Sequence, residues 1–218
     1  MRILIVSAHP DDETIGMGGT IAKFKNQEHK LFWLVLTRAF SPRWSKSIVA
    51  RKLDEAKEVA KFYKFDGFYH AKFKAASLSI YPQHQIIDST TKIVEKIKPQ
   101  IVYLPPLVDM HDDHEIAAKA GLIAARYKNF IEKVFSYEIP VTTLFSKIRA
   151  SQTDYNYFVD ISDFIDTKVM AMRLYKTELK TLPHPRSTEG LKILARERGL
   201  VSGFEYAERF RLLFAREN

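Results

Sequence analysis

The sequence predicts an α/β fold, a mainly parallel sheet with helices on both faces. Three observations carry that expectation. Short aliphatic runs, among them Ile3-Leu4-Ile5-Val6, Leu31 to Thr37 and Ile101-Val102-Tyr103-Leu104, read as fully buried strands. Longer segments with apolar residues at helical spacing alternate with them. Two of the strands run into proline, Pro10 and Pro105-Pro106, and a dense ionisable cluster follows each time. Proline cannot continue a ladder, so both strands should stop there.

The elements follow in order. After Ile3–Val6, the residues Ile15, Gly18, Ile21, Ala22 and Phe24 begin an amphipathic helix. Leu31 to Thr37 is the second strand. The segment from Arg38 to Ser47 carries Pro42, Trp44 and three cationic residues, and reads as a loop over a strand's carboxyl end. Val49, Leu53, Ala56, Val59, Ala60 and Tyr63 share one face, which predicts a helix over 48–63. A weak strand near Phe68-Tyr69-His70 and a loop through Pro82 lead to a helix over 86–97, stopped by Lys98-Pro99. The strand 101–104 precedes a helix over 116–127 whose alanines permit close packing. Residues 134–138 read as a further strand, 141–156 as polar and irregular, and 163–179 as a helix. Ser187 can N-cap a last helix over 189–198, with Gly199 as its C′ residue. The tail 207–214 is amphipathic or extended. No repeat, linker or low-complexity tract interrupts 1–218, so it reads as one domain.

Composition narrows the class. The 218 residues are 46% hydrophobic and 28% charged, ordinary for a globular protein. No apolar run approaches membrane-span length, so no membrane insertion is expected. A strand begins at once, so no signal peptide is expected and the cytoplasm is the expected compartment. There is no cysteine, so a metal would use His, Asp or Glu. The net charge is +8, from 34 basic and 26 acidic residues. These are scattered at helix-surface spacings without an aromatic-interleaved basic block, which argues against nucleic acid as a partner and leaves a small anionic substrate compatible. Gly16-Met17-Gly18-Gly19 invites comparison with a dinucleotide-binding turn. Its spacing is wrong for that, and the neighbouring acidic cluster would repel a pyrophosphate.

The chemistry concentrates in His9-Pro10-Asp11-Asp12-Glu13 and Asp109-Met110-His111-Asp112-Asp113-His114-Glu115. Three carboxylates within a few positions repel one another unless hydrogen bonds or a cation compensate. Two readings of the first cluster stand side by side: Asp11 or Asp12 caps the following helix, or His9 and Asp12 converge on a metal. If the two strands are neighbours, both clusters emerge on one sheet edge, where α/β proteins bind ligands. His9, Asp12 and His114 would then give three ligands with a position left open, the pattern of a catalytic zinc site. Iron(II) or cobalt(II) suit the same donors. Asp11 would accept a proton from the activated water, and His111, held as an imidazolium by Asp113, would stabilise the oxyanion and protonate the leaving amine. Asp109 would support one of the histidines.

The chain resembles the LmbE-like (PIG-L) zinc-dependent N-acetylglucosaminyl deacetylases. The resemblance rests on Ala8-His9-Pro10-Asp11-Asp12-Glu13 continuing into Gly18-Gly19-Thr20, and on Asp109, His111, Asp113 and His114. It extends to Arg51 with Glu55-Ala56, Tyr137-Glu138, Pro183-His184-Pro185-Arg186-Ser187, Arg198-Gly199, and Tyr206-Ala207-Glu208 with Phe210. It implies a three-layer Rossmann-like fold and removal of an N-acetyl group from a small GlcNAc-containing molecule, with 140–218 completing the substrate pocket. It implies zinc on His9, Asp12 and His114, Asp11 as base, and His111, oriented by Asp113, as electrophile and acid. Arg51 matches an arginine that lines the sugar site in relatives. An anionic aglycone near Arg186 or Arg43 fits the charge, and relatives often form homo-oligomers. Thr37-Arg38-Ala39-Phe40 departs from the small acidic, Gly-containing turn of many relatives.

Overall fold

Strand β1 (Arg2–Ser7) lies inside the sheet because nothing in Ile3–Val6 is polar, and all four side chains are fully buried. The computed structural model describes residues 1–146 and 155–217. After β1 the elements are α1 (Asp12–Asn26), β2 (Lys30–Arg38), α2 (Lys46–Phe62), β3 (Gly67–Lys74), α3 (Gln83–Ile97), β4 (Ile101–Leu104) and α4 (Asp112–Ala125). Then come β5 (Lys133–Tyr137), α5 (Pro140–Ser146), β6 (Tyr157–Asp160), α6 (Ile165–Leu174), α7 (Thr188–Ser202) and β7 (Ala207–Ala215).

Among the described residues the strands form one sheet in the order β3-β2-β1-β4-β5-β7-β6. The first five are parallel; β7 runs antiparallel to β5, and β6 antiparallel to β7. Side chains alternate between the faces of a strand. Ile3 and Ile5 therefore join a core with residues of α1, α2, α6 and α7, while Leu4 and Val6 join a second core with α3 and α4. This is the three-layer, Rossmann-like arrangement that the sequence predicts. From β1 the chain winds outward through β2 to β3, then returns to β4 on the other side. The gap between β1 and β4, registered with Ile3 opposite Ile101, is thus a topological switch point.

The glycines of α1 serve packing rather than a phosphate loop. A Cβ on Gly16 would sit 2.4 Å from Tyr137 Cδ2 and 2.6 Å from the Glu138 carbonyl. The helix breaks at Met17 (φ −148°), and a buried ion pair joins the break. Lys168 Nζ donates to the Ile15 carbonyl, while Glu208 accepts from the Gly19 and Thr20 N–H groups and from Lys168.

Several boundaries differ from the sequence expectation; α4, expected over 116–127, begins one turn earlier and spans Asp112–Ala125. Residues 140–146 form α5, begun by Pro140 at a position where its missing N–H costs nothing; the rest of the segment expected as irregular lies partly outside the described residues. The four-residue edge strand β6 carries too little pattern to be seen. Helix α6 stops at Leu174, not 179, because Tyr175 adopts φ −80°, ψ 64°. Tyr175 is nevertheless buried and Leu179 packs on the same core, so the apolar period outlasts the helix. Gly199 lies inside α7, against the carbonyls of Phe204 and Glu205, and the left-handed cap is Gly203 (φ 80°).

Candidate metal centre and active site

The turn after β1 sets out the first group of side chains. His9 N–H donates to Asp12 Oδ2 at 2.8 Å, which holds that oxygen 3.8 Å from His9 Nδ1. Asp11 is the N-cap residue of α1, yet its side chain makes no capping bond. Its backbone is left-handed (φ 98°), and its N–H is accepted by Glu13 Oε2 at 3.2 Å. Glu13 is fully buried, and its other oxygen accepts from Thr14 and Tyr175 hydroxyls at 2.7 and 2.8 Å. Capping therefore does not account for Asp11 or Asp12.

The turn after β4 supplies the second group. His111 is the N-cap of α4 and its Nδ1 accepts the Asp113 N–H at 3.2 Å. That leaves Nε2 to carry the proton of the neutral ring. His114 lies in the first turn of α4. Its Nδ1 is 3.2 Å from Asp109 Oδ1, which turns Nε2 toward Asp12 Oδ1 at 3.4 Å and His9 Nδ1 at 3.3 Å. Asp109 is itself held by the hydroxyls of Thr142 and Thr143, both at 2.9 Å.

One donor atom each from His9, Asp12 and His114 lies within 4.8 Å of the others. Two imidazoles and a carboxylate converging this closely match the donor set of a zinc-type site. Without a cation, the charges already compensate one another. Burial pushes Asp12 up, but His114 and His9 override it and hold the carboxyl at about 2. Burial pushes His114 down, but Asp12 and Asp109 raise it to about 10. Asp11 goes the other way: burial and the Asp12 charge lift it to about 7, against the pull of Arg186. A carboxylate with that affinity suits a proton acceptor near neutrality.

Asp113 differs from its expected role. Its carboxylate does not hold His111. Oδ2 lies 3.0 Å from His9 Nε2 and accepts the Ala76 N–H at 2.6 Å, and Oδ1 accepts the Leu78 N–H at 2.9 Å. The N-cap geometry gives His111 the backbone N–H of Asp113, while the carboxylate, within 4.8 Å of a His111 nitrogen, makes its bonds to His9 and two backbone N–H groups. Nor do the surroundings of His111 push it toward the imidazolium. Burial lowers its pKa and the neighbouring His9 and His114 lower it further, with Asp113 opposing.

A cavity of about 310 Å³ opens over this centre. His9, Asp11, Asp12, His111 and His114 line it, with Arg43 and Trp44 from the loop after β2. Val141, Thr142, Tyr175, Thr177, Glu178 and Arg186 line it from the C-terminal third. Arg186 is bound within the protein, its Nη1 lying 3.2 Å from Asp11 Oδ2 and 2.6 Å from Glu178 Oε2. Arg51 is corrected. Its side chain is 56% exposed, pairs with Glu55, and does not line the cavity. One residue along a helix turns the side chain by about 100°, and Lys52 with Glu55 faces the site instead. Lys52, Thr177 and Glu178 escaped the sequence reading, and Glu55 entered it only within the resemblance. Otherwise only the one-turn spacing of Lys52 and Glu55 marked them, and charged residues at that spacing are common on helix surfaces. Arg198 and Glu208, in segments that carry the resemblance, lie outside this cavity. Arg198 binds Glu138, and Glu208 holds the break in α1.

The fold and site together define a class: three-layer α/β proteins with a His-Asp-His centre at the switch point of the sheet. Within it, the model of the family described as PIG-L, GlcNAc-PI de-N-acetylase, matches residues 4–125, and the chain belongs to that family. It is 25% identical to the diacetylchitobiose deacetylase of Thermococcus kodakarensis, covering 97% of this chain and 83% of the other. Its structure is similar to that of the N,N'-diacetylchitobiose deacetylase of Pyrococcus horikoshii, with a TM-score of 0.79, 23% identity, and 97% and 83% of the two chains covered. It is also similar to the conserved protein TT1542 of Thermus thermophilus, with a TM-score of 0.78, 24% identity, and coverage of 99% and 96%. No helix among the described residues is long and apolar enough to cross a membrane.

Proposed function

We propose that this protein is a zinc-dependent N-deacetylase that hydrolyses the N-acetyl group of a small GlcNAc-containing molecule or conjugate. The observation that carries the reading is the convergence of His9, Asp12 and His114 on the floor of the cavity that Asp11 and His111 also line. Membership of a de-N-acetylase family and similarity to a diacetylchitobiose deacetylase support the amino-sugar substrate. His9 through Nδ1, Asp12 and His114 through Nε2 would hold the ion. A divalent cation there supplies Lewis acidity, polarising an acyl oxygen and making water acidic near neutral pH.

The chain's own groups do the rest. Asp11 accepts the proton of the attacking water. His111 offers its Nε2–H to the oxygen of the former carbonyl as negative charge develops there. We place the acid role on Asp11, which has just gained a proton it can pass to the leaving nitrogen, rather than on His111, whose pKa burial lowers. Asp113 and Asp109 fix the two ligand rings through their second nitrogens. An anionic aglycone, if the substrate carries one, belongs near Arg43. That side chain stacks on Trp44 at 5.1 Å and forms no ion pair among the described residues, whereas Arg186 is bound by two carboxylates.

Elemental analysis joined to acetate release tests the reading. About one zinc per chain, as a mononuclear site requires, and chelator-sensitive acetate release from N-acetylglucosamine conjugates are expected. A chain that takes up no metal under any loading condition would sink it.

A further inference from the structure

The cavity wall beside Asp11 is built from opposed charges. Glu178 Oε2 accepts from Arg186 Nη1 at 2.6 Å, and Glu178 Oε1 pairs with Lys52 Nζ. The same Arg186 nitrogen reaches Asp11 Oδ2 at 3.2 Å. Two cations, Lys52 and Arg186, thus face three carboxylates, Glu178, Asp11 and Glu55, and all five side chains line the cavity. The arrangement is anchored from behind. Thr177, next to Glu178, donates its N–H to Glu55 at 3.1 Å and its hydroxyl at 2.5 Å, tying the turn after α6 to α2.

The wall nevertheless keeps hydrogen-bonding capacity. A carboxylate offers about four lone-pair sites and an ammonium three donors, so Glu178 and Lys52 are only partly used. Partly exposed donors and acceptors with no surplus positive charge suit hydroxyls, which both give and accept. A phosphate or carboxylate placed there would meet Glu178 as well as the cations, and like charges brought together oppose binding.

We propose that Glu178 sets the charge selectivity of this wall, so that it takes the neutral hydroxyls of a sugar ring and refuses an anionic substituent. Resting on the deacetylase reading, this names the substrate class for one side of the site: a sugar uncharged on the face toward Lys52 and Arg186. Replacing Glu178 by glutamine would remove the carboxylate that Lys52 and Arg186 share, leaving Arg186 with Asp11 and Lys52 near Asp11 and Glu55, and would lift the repulsion an anion meets there.

The test compares zinc-loaded wild type, Glu178→Gln and Glu178→Asp. Acetate release is measured from N-acetylglucosamine, its 1-phosphate, its 6-phosphate and N-acetylmuramic acid. The three anionic sugars place the charge at different ring positions. Glu178→Gln is expected to raise kcat/KM for at least one of them, relative to the neutral sugar, by roughly tenfold or more, and the charge-retaining Glu178→Asp is not. Unchanged ratios for all three in Glu178→Gln would overturn the proposal. Equilibrium binding of the corresponding free amines reads the same selectivity without turnover. A shifted binding ratio with no acetate from any sugar would remove the deacetylase reading and keep the role of Glu178. Acetate release with unchanged ratios would do the reverse, and neither binding nor turnover would overturn both.

Discussion

The two turns that build the site follow one plan and use it differently. Each runs from a buried strand through proline to an ionisable cluster at the start of a helix. After β4, the helix takes its cap from the site: His111 Nδ1 accepts the Asp113 N–H, which orients the ring and leaves one nitrogen for chemistry. After β1, the helix takes the Asp11 carbonyl, which accepts the Ile15 N–H at 2.9 Å, but no bond from the Asp11 side chain. Glu13 accepts the N–H of that residue, and the Asp11 carboxylate stays available to the cavity. A polar residue at a helix start can thus be a structural cap, a chemical group, or both. Sequence position does not distinguish these cases, whereas the capping bond does.

The largest effect should come from the ligand that joins the turns. His114→Ala is expected to lose both metal and measurable turnover; a variant that still binds one zinc per chain would show that the ligand set is wrong. Next come the two groups the turns hold apart. Asp11→Asn should keep the metal and lower kcat by about 10³-fold, within the range for general acid–base groups. His111→Ala should lower kcat by about 10²-fold, the low end for loss of an oxyanion donor. Equal losses would mean that His111 moves a proton after all, and the difference assigned to the two turns would fall.

Asp113 crosses from one turn to the other, and its substitution sharpens the comparison. Asp113→Asn should weaken zinc binding by about 10-fold, the low end for groups supporting a metal ligand, as read by competition with a fluorescent chelator. A change in kcat with full metal affinity would instead return Asp113 to the service of His111. The smallest effect on chemistry lies away from both turns, at Glu138. Burial pushes this carboxyl up, but Arg209 and Arg198 override it and hold it below the usual glutamate range. Its stabilisation is therefore present above the unfolded-state pKa and lost as pH falls through the lower folded-state value. Glu138→Gln should lower stability by about 3 kcal/mol at neutral pH, as expected when a buried pair loses one partner. The gap in Tm from wild type should close in acid; a constant gap would mean that the loss is one of packing.

The strand-ending prolines made the centre legible before any coordinates. His9, Asp12 and His114 each stand beside a buried aliphatic run, and parallel strands that end together bring such residues together. The substrate wall was not legible, because it is assembled across the chain. Lys52 comes from α2, Glu178 from a turn that keeps a helical apolar pattern without being helical, and Arg186 from a proline-bounded loop. The misreading of Arg51 has the same origin, since only the rotation of α2 in place decides which of two adjacent cations enters the cavity. The role of Asp113 was equally hidden: its spacing from His111 fits a pair, but the backbone makes that contact and the carboxylate goes to His9.

The left-handed backbone of Asp11 carries a consequence for mutational tolerance. At φ 98° a β-carbon is strained in most residues; glycine escapes the strain, and asparagine and aspartate bear it best. A library randomised at this codon and selected only for folded protein should therefore return Asp, Asn and Gly ahead of Ala, Val or Leu. Selection for turnover should then discard all but aspartate. The position is filtered twice, by backbone shape and by proton affinity, and aspartate is the one common residue that passes both filters.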